Sequence, residues 1–137
     1  MRVLTLAAVL AATAIPAIAK PVTYFCEMEP SYGGWIGESM ALQIDKSNGT
    51  AKALDGVVYS VHEEAIPGKL IVKGSQTTVS WRVLIKDSKG QTTNMDYRAT
   101  LLAGNKAVVS ARPGANYKGR FQAKGTCQPT NERFPGM

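Results

Sequence analysis

The chain has few of the residues on which enzyme chemistry most often depends. Among its 137 residues there are one histidine, His62, and two cysteines, with neither a C-x-x-C pair nor a G-x-S-x-G motif. A Ser-His-Asp or Cys-His device would have to use that single histidine, and thiol exchange normally uses the closely spaced pair. We expect His62 to lie in an exposed polar loop. The sequence therefore predicts a protein that is not an enzyme and that needs no metal or other cofactor.

Long apolar runs are missing after residue 19. Before that point, a short positive start precedes the uncharged apolar stretch Val3–Ile15, and Ala17-Ile18-Ala19 forms a small-x-small cleavage site. These features predict a signal peptide over residues 1–19, of the general secretory type because no twin arginine is present. No later segment reaches the roughly 20 apolar residues of a membrane helix, so we expect no transmembrane segment after processing.

The two cysteines lie near the two ends of the predicted mature chain. Cys26 follows the polar-apolar sequence Val22-Thr23-Tyr24-Phe25 and lacks a small-residue lipobox, so we expect no lipid anchor. In an oxidising compartment, Cys26 and Cys127 are expected to form one disulfide. The sequence thus predicts a periplasmic or secreted protein whose first and last elements are neighbours.

Alternating apolar and polar residues predict short strands throughout residues 20–127, with Gly-rich turns between them. The first strand spans Val22–Met28, and the clearest, the fifth, places Val79, Trp81, Val83 and Ile85 on one face. The third is expected to run from Thr50 toward Tyr59, with a bulge or break at Gly56. A Pro67-Gly68 turn is expected before the fourth strand, and the eighth is expected to begin at Tyr117.

Eight consecutive strands with short connections predict an all-β domain over residues 20–127. An up-and-down antiparallel barrel is the favoured architecture because both cysteines fall on the apolar faces of their strands, so that the first and last strands can meet. A two-sheet β-sandwich is the alternative. Residues 128–137, which include two prolines, are expected to form a flexible C-terminal tail, and the protein is expected to be a monomer.

Acidic residues are scarce in the last third of the chain. From residue 98 onward there are seven basic residues and one acidic residue. Alternation places six of the basic side chains on the outer face of strands six to eight, where a positive field would attract an anionic envelope component or an acidic protein. The alternative is that these basic side chains only keep the face soluble and prevent its edge strands from pairing with other molecules. The six residues are Arg98, Lys106, Arg112, Lys118, Arg120 and Lys124.

A Gly-rich loop over residues 30–37 carries three large side chains, Tyr32, Trp35 and Ile36. Large apolar side chains in a flexible segment are typical of a contact loop or lid. They would equally suit a plug at one end of a barrel. Both interpretations are retained.

The sequence therefore predicts an exported, non-catalytic barrel that binds or inhibits a partner in the cell envelope through its basic face. The alternative is a carrier for a small apolar ligand, because the expected interior mixes large side chains with small ones. A lysozyme inhibitor fits the size and disulfide, but lysozymes are commonly basic and would be repelled. Nucleic acid is not expected, because the compartment is wrong and exposed aromatics are not interleaved with the charges. The mixed interior set comprises Tyr24, Met28, Trp81, Tyr97, Phe121, Ala99, Ala107, Ala111, Gly119 and Ala123.

Overall fold

A computed structural model describes residues 13–16, 18–114 and 118–137 of the chain. Eight antiparallel strands follow one another around a closed barrel, each paired with its neighbours in sequence. The all-β up-and-down barrel is confirmed, and the sandwich alternative is wrong. Most of the predicted signal peptide, residues 1–12 and 17, lies outside the described residues. The strands are β1 Val22–Met28, β2 Ser39–Asp45, β3 Thr50–Asp55, β4 Ile66–Lys73, β5 Gln76–Lys86, β6 Thr92–Leu101, β7 Lys106–Pro113 and β8 Phe121–Thr130.

The barrel closes where β1 pairs with β8. The ladder between them runs from Thr23 opposite Thr130 to Met28 opposite Gly125. Within it Cys26 lies directly opposite Cys127, and the two form a disulfide across a sequence separation of 101 residues. The predicted disulfide is therefore confirmed. It covalently links the strands that close the barrel.

Alternation along the strands fills the interior with apolar side chains, as the period of two requires. The predicted inward face of β5 is confirmed, because Val79, Trp81, Val83 and Ile85 are all buried. Trp81 stacks on Tyr97 of β6, its direct cross-strand neighbour, with ring centroids 5.3 Å apart. Large side chains thus occupy the barrel interior.

A short helix, α1 (Gly56–His62), replaces the second half of the predicted third strand. Asp55 has extended backbone angles, and its Oδ1 accepts a hydrogen bond from the backbone N–H of Val58 at 2.7 Å, an N-cap that favours helix over strand. The helix ends at Glu63, which is left-handed with φ of 59°. His62 therefore belongs to the last turn of a helix, and the prediction of a loop there is wrong. The helix packs against β3 and β5.

Pro67 and Gly68 lie inside β4, so the predicted turn at this position is wrong. Pro67 pairs with β3, but the ladder between β4 and β5 begins only at Lys69, so the missing N–H of Pro67 removes no bond to β5. Gly68 is required by packing: a Cβ there would lie 2.8 Å from Cγ1 of Val79 and 3.1 Å from the carbonyl oxygen of Ser80. The ladder stops at Ser80, and the rest of β5 pairs only with β6.

The C-terminal residues differ most from their prediction. β8 begins at Phe121, later than the predicted start at Tyr117, which lies outside the described residues. It continues through Thr130, so residues 128–130 are strand and not a flexible tail.

Residues 131–137, here named the C-terminal segment, pack across the outside of the barrel. Phe134 stacks on Phe25 of β1 with ring centroids 6.0 Å apart. The carbonyl of Pro135 accepts a hydrogen bond from the Ala65 N–H, and that of Gly136 accepts one from Lys52 Nζ, each at 3.0 Å. This segment is held by specific contacts rather than left free.

Candidate anion-binding site

The outer face of β5, β6 and β7 places charged side chains in one cross-strand row. Arg82 of β5 lies directly opposite Asp96 of β6, and Asp96 lies opposite Arg112 of β7. Arg120 immediately precedes β8. The first residue of β8 pairs with the residue just before Arg112 in β7, so Arg120 lies beside Arg112 and extends the row. All three arginines are exposed, as expected for the polar face of an antiparallel strand.

A second row lies beside the first on the same face. Arg98 of β6 is flanked by Ser80 of β5 and Ser110 of β7 as direct cross-strand neighbours. Side chains from both rows line one open surface pocket of about 660 Å³. We name this site the arginine pocket, and its charged residues are Arg82, Asp96, Arg98, Arg112 and Arg120.

One of the four arginines already has a partner. The Nε and Nη2 atoms of Arg82 donate to the two oxygens of the Asp96 carboxylate, at 2.5 Å and 3.1 Å. This hydrogen bonding, together with the negative charge of Asp96, raises the pKa of Arg82. Because the pair is exposed, its effect on stability is small. Its structural effect is to fix one edge of the guanidinium plane at the pocket wall.

Within the part of the chain that the structure describes, the other three arginines have no counter-ion. Within the described residues, Arg98, Arg112 and Arg120 form no ion pair and no side-chain hydrogen bond. Among the described residues that line the pocket, Asp96 is the only acidic one, which leaves a formal net charge of +3 there. Like charges held close together destabilise a sheet, so a bound anion would be electrostatically favoured.

Three of the six residues of the predicted basic face lie together at one pocket. Arg98, Arg112 and Arg120 meet in the arginine pocket. Lys106 and Lys124 lie farther along the outer face, opposite Thr126 and Val108 respectively.

Lys118 belongs to a different location, the mouth of the barrel. It lines a small pocket of about 110 Å³ together with Trp35 and Phe121. Of the six predicted residues, the three arginines therefore line the arginine pocket and the three lysines do not.

Arg82 was missed because the charge count placed the basic region after residue 98. The available signal was the outward position of Arg82 in the clearest strand, whose partner in the barrel is β6. Asp96 was missed for the same reason, since only the register shows that it lies between two arginines. Charge counts along a chain cannot detect a cluster built across strands.

The three residues of the predicted contact loop have different environments. Tyr32 is 92% exposed, whereas Ile36 is buried in the core. Trp35 is half-buried at the barrel mouth, and its carbonyl oxygen accepts a hydrogen bond from Tyr97 Oη at 2.8 Å. Gly33 has a φ of 85°, and a Cβ there would lie 2.9 Å from the Phe121 ring. Ile36 and Trp35 thus close one end of the barrel, and Tyr32 alone projects into solvent.

Asp55 and Tyr97 are buried residues with titratable polar groups. Burial raises the pKa of Asp55, although hydrogen bonds from the backbone of the helix act in the opposite direction. Burial also raises the pKa of Tyr97, to which the nearby charge of Asp55 adds. Asp55 caps the helix and Tyr97 anchors the loop. Tyr97 is also among the residues that line the arginine pocket, whereas Asp55 is not.

Comparisons with protein-family models, with curated proteins and with solved structures found no match to this chain. The described residues include no helix with the length and apolar character needed to span a bilayer. The function of the pocket therefore has to be inferred from its own chemistry.

Proposed function

We propose that this protein is an exported, non-catalytic binding protein of the cell envelope that holds or inhibits an anionic partner through the arginine pocket. The observation that carries the proposal is a group of three exposed arginines in one pocket that have no counter-ion among the described residues. Planar guanidinium groups bind oxyanions through paired charge-assisted hydrogen bonds, and Ser80 and Ser110 add hydroxyl groups beside them. A site of this kind binds without bond-making chemistry.

Two further features support an extracytoplasmic location. The disulfide between Cys26 and Cys127 is of the kind that persists in oxidising compartments. The N-terminal sequence has the charge, apolar run and small-x-small site of a secretory signal.

The pocket at the barrel mouth favours this proposal over a carrier that holds an apolar ligand inside the barrel. The mouth pocket beside Trp35 has a volume of about 110 Å³, below the roughly 300–1,000 Å³ typical of small-molecule sites. The interior beneath it contains the stacked rings of Trp81 and Tyr97. The arginine pocket is larger and open to solvent.

The proposal can be tested by removing the three unpaired positive charges. The variant Arg98→Gln/Arg112→Gln/Arg120→Gln should lose at least about tenfold in affinity for an anionic surface, since several charge-assisted bonds disappear together. The probes are phosphatidylglycerol vesicles and alginate, a polycarboxylate, measured at low and high ionic strength. Binding by the wild type should weaken as salt rises.

A matched control removes the same charge elsewhere. Lys73→Gln/Lys106→Gln/Lys124→Gln lowers the net charge equally but leaves the arginine pocket intact. It should lose less than about threefold, because exposed charges outside the site act only through a screened field. Equal losses in both variants would indicate nonspecific charge attraction and refute the proposed site. Salt-independent uptake of an apolar probe, unchanged in both variants, would instead support the carrier.

A further inference from the structure

The six arginines of the chain are distributed differently from its ten lysines. Four arginines line the arginine pocket, and no lysine is among its lining residues. Lysine would serve solubility equally well, but only arginine presents a rigid planar fork of N–H donors. This segregation indicates recognition of an oxyanion with several oxygens in a fixed geometry.

The charge of the pocket indicates which oxyanion fits. With Asp96 counted, the formal net charge is +3. A carboxylate or a phosphate diester brings a single negative charge, whereas a phosphate monoester brings about −1.5 to −2 at neutral pH, with three acceptor oxygens. The monoester therefore offsets more of the local repulsion and accepts more of the available donors.

The dimensions of the pocket agree with this ligand. Arg82 and Arg112 are separated by two inter-strand spacings, roughly 10 Å in all. Long side chains on either side of Asp96 at this spacing can converge on one phosphate group. Arg98 approaches from the adjacent row, between the hydroxyls of Ser80 and Ser110.

We infer that the arginine pocket binds a terminal phosphate monoester, carried by a lipid headgroup or by a small soluble molecule. This inference rests on the proposed function, because it names the anion that the same site takes. Asp96 is a positioning residue here: it holds Arg82 at the pocket wall through two hydrogen bonds.

The first experiment compares ligands on the wild-type protein. Vesicles containing phosphatidic acid, a monoester lipid, are compared with phosphatidylglycerol vesicles, a diester lipid, at matched surface charge. Glycerol 3-phosphate is titrated in parallel by calorimetry as the soluble monoester. The expected result is at least about fivefold tighter binding to the monoester vesicles than to the diester vesicles.

The second experiment keeps the positive charges of the pocket and removes its planar guanidinium groups. Arg98→Lys/Arg112→Lys/Arg120→Lys keeps the net charge of the pocket but replaces planar forks with point charges. Affinity for phosphatidic acid vesicles should fall at least about tenfold, equal to about 1.4 kcal/mol. Binding to phosphatidylglycerol vesicles should change less than about threefold, and circular dichroism checks that the barrel is intact.

The pH dependence provides an independent readout. The charged and titratable groups that line the pocket are the four arginines, Asp96 and Tyr97. Arginine stays protonated throughout the range used, and burial raises the pKa of Tyr97, so its hydroxyl stays neutral. The second pKa of a phosphate monoester is about 6, so affinity should rise between pH 5 and pH 7 as the ligand gains its second charge. The variant Asp96→Asn should retain this rise, which assigns it to the ligand.

The outcomes separate the inference from the proposed function. Preference for phosphatidic acid vesicles with weak binding of glycerol 3-phosphate supports a lipid source, and tight binding of both supports a soluble source. Equal affinity for monoester and diester vesicles, or no loss in the lysine variant, overturns the inference. Binding to alginate alone also overturns it but leaves the proposed function standing. Absence of binding to every anionic probe refutes both.

Discussion

Removing the disulfide is expected to lower stability more than any single side-chain change in the barrel. Cys26 and Cys127 are buried and directly opposed in the β1–β8 ladder, and the loop that they close spans 101 residues of separation. On the chain-entropy model, freeing a loop of about 100 residues in the unfolded state costs the protein about 4 to 5 kcal/mol. The double variant Cys26→Ala/Cys127→Ala removes this link and adds no buried polar group.

Urea unfolding, followed through the fluorescence of buried Trp81, measures this loss. At an m-value of about 1.5 kcal/mol/M, typical of a small domain, the midpoint should fall by roughly 3 M. The m-value itself should rise, because the unfolded chain is no longer cross-linked and exposes more surface. Wild-type protein unfolded under reducing conditions is the control, since it loses the same bond without a substitution.

The β1–β8 ladder should also respond locally. In the reduced protein, amides of this ladder should lose protection from hydrogen exchange before those of the β5–β6 ladder. A stability loss below about 1.5 kcal/mol in both the variant and the reduced wild type would refute the chain-entropy reasoning. It would mean that backbone pairing alone closes the barrel.

Three further substitutions test packing and burial, each by urea unfolding. Burial raises the pKa of Asp55, so the native state binds a proton more tightly than the unfolded state, and wild-type stability should fall as pH rises from 3.8 through the raised pKa. Asp55→Asn keeps the helix cap but lacks this dependence, so its stability relative to the wild type should increase over that range. Phe134→Ala should cost about 1 to 2 kcal/mol, because the ring stacks on Phe25. Gly125→Ala should cost about 1 to 3 kcal/mol or more, because its Cβ would overlap the backbone oxygen of Glu27.

Each of these expectations has a result that would contradict it. Parallel pH profiles for Asp55→Asn and the wild type would show that this carboxyl ionises freely in the fold. A loss for Phe134→Ala no larger than that for Tyr32→Ala, an exposed control, would show that the C-terminal segment does not pack on β1. Unchanged stability of Gly125→Ala would contradict the close approach of β8 to β1.

The barrel was predictable because its strands obey a period of two and its cysteines lie at the ends. The inward set of β5, from Val79 to Ile85, follows from alternation alone. The helix Gly56–His62 was not found by periodicity, since seven residues make only two turns. Its local signal was Asp55, a residue suited to an N-cap, immediately before the break at Gly56.

Tertiary contacts account for the other differences. Pro67 and Gly68 have the composition of a turn, but their position in β4 depends on what β3 and β5 place beside them. Likewise, no count along the chain places Arg82 next to Arg112, because only the strand order brings β5 and β7 to the two sides of β6. The basic character of the site was predictable, and its division into a pocket was not.

The incomplete ladder between β4 and β5 has a consequence for aggregation. Beyond Ser80, the backbone groups of β5 on the side that faces β4 take part in none of the described ladders. The exposed side chain of Leu84 lies in this part of the strand. Such an edge invites pairing with a strand of another molecule. Helix α1 packs against β5, and the charges of Arg82 and Lys86 flank Leu84, so cover and repulsion both oppose intermolecular pairing.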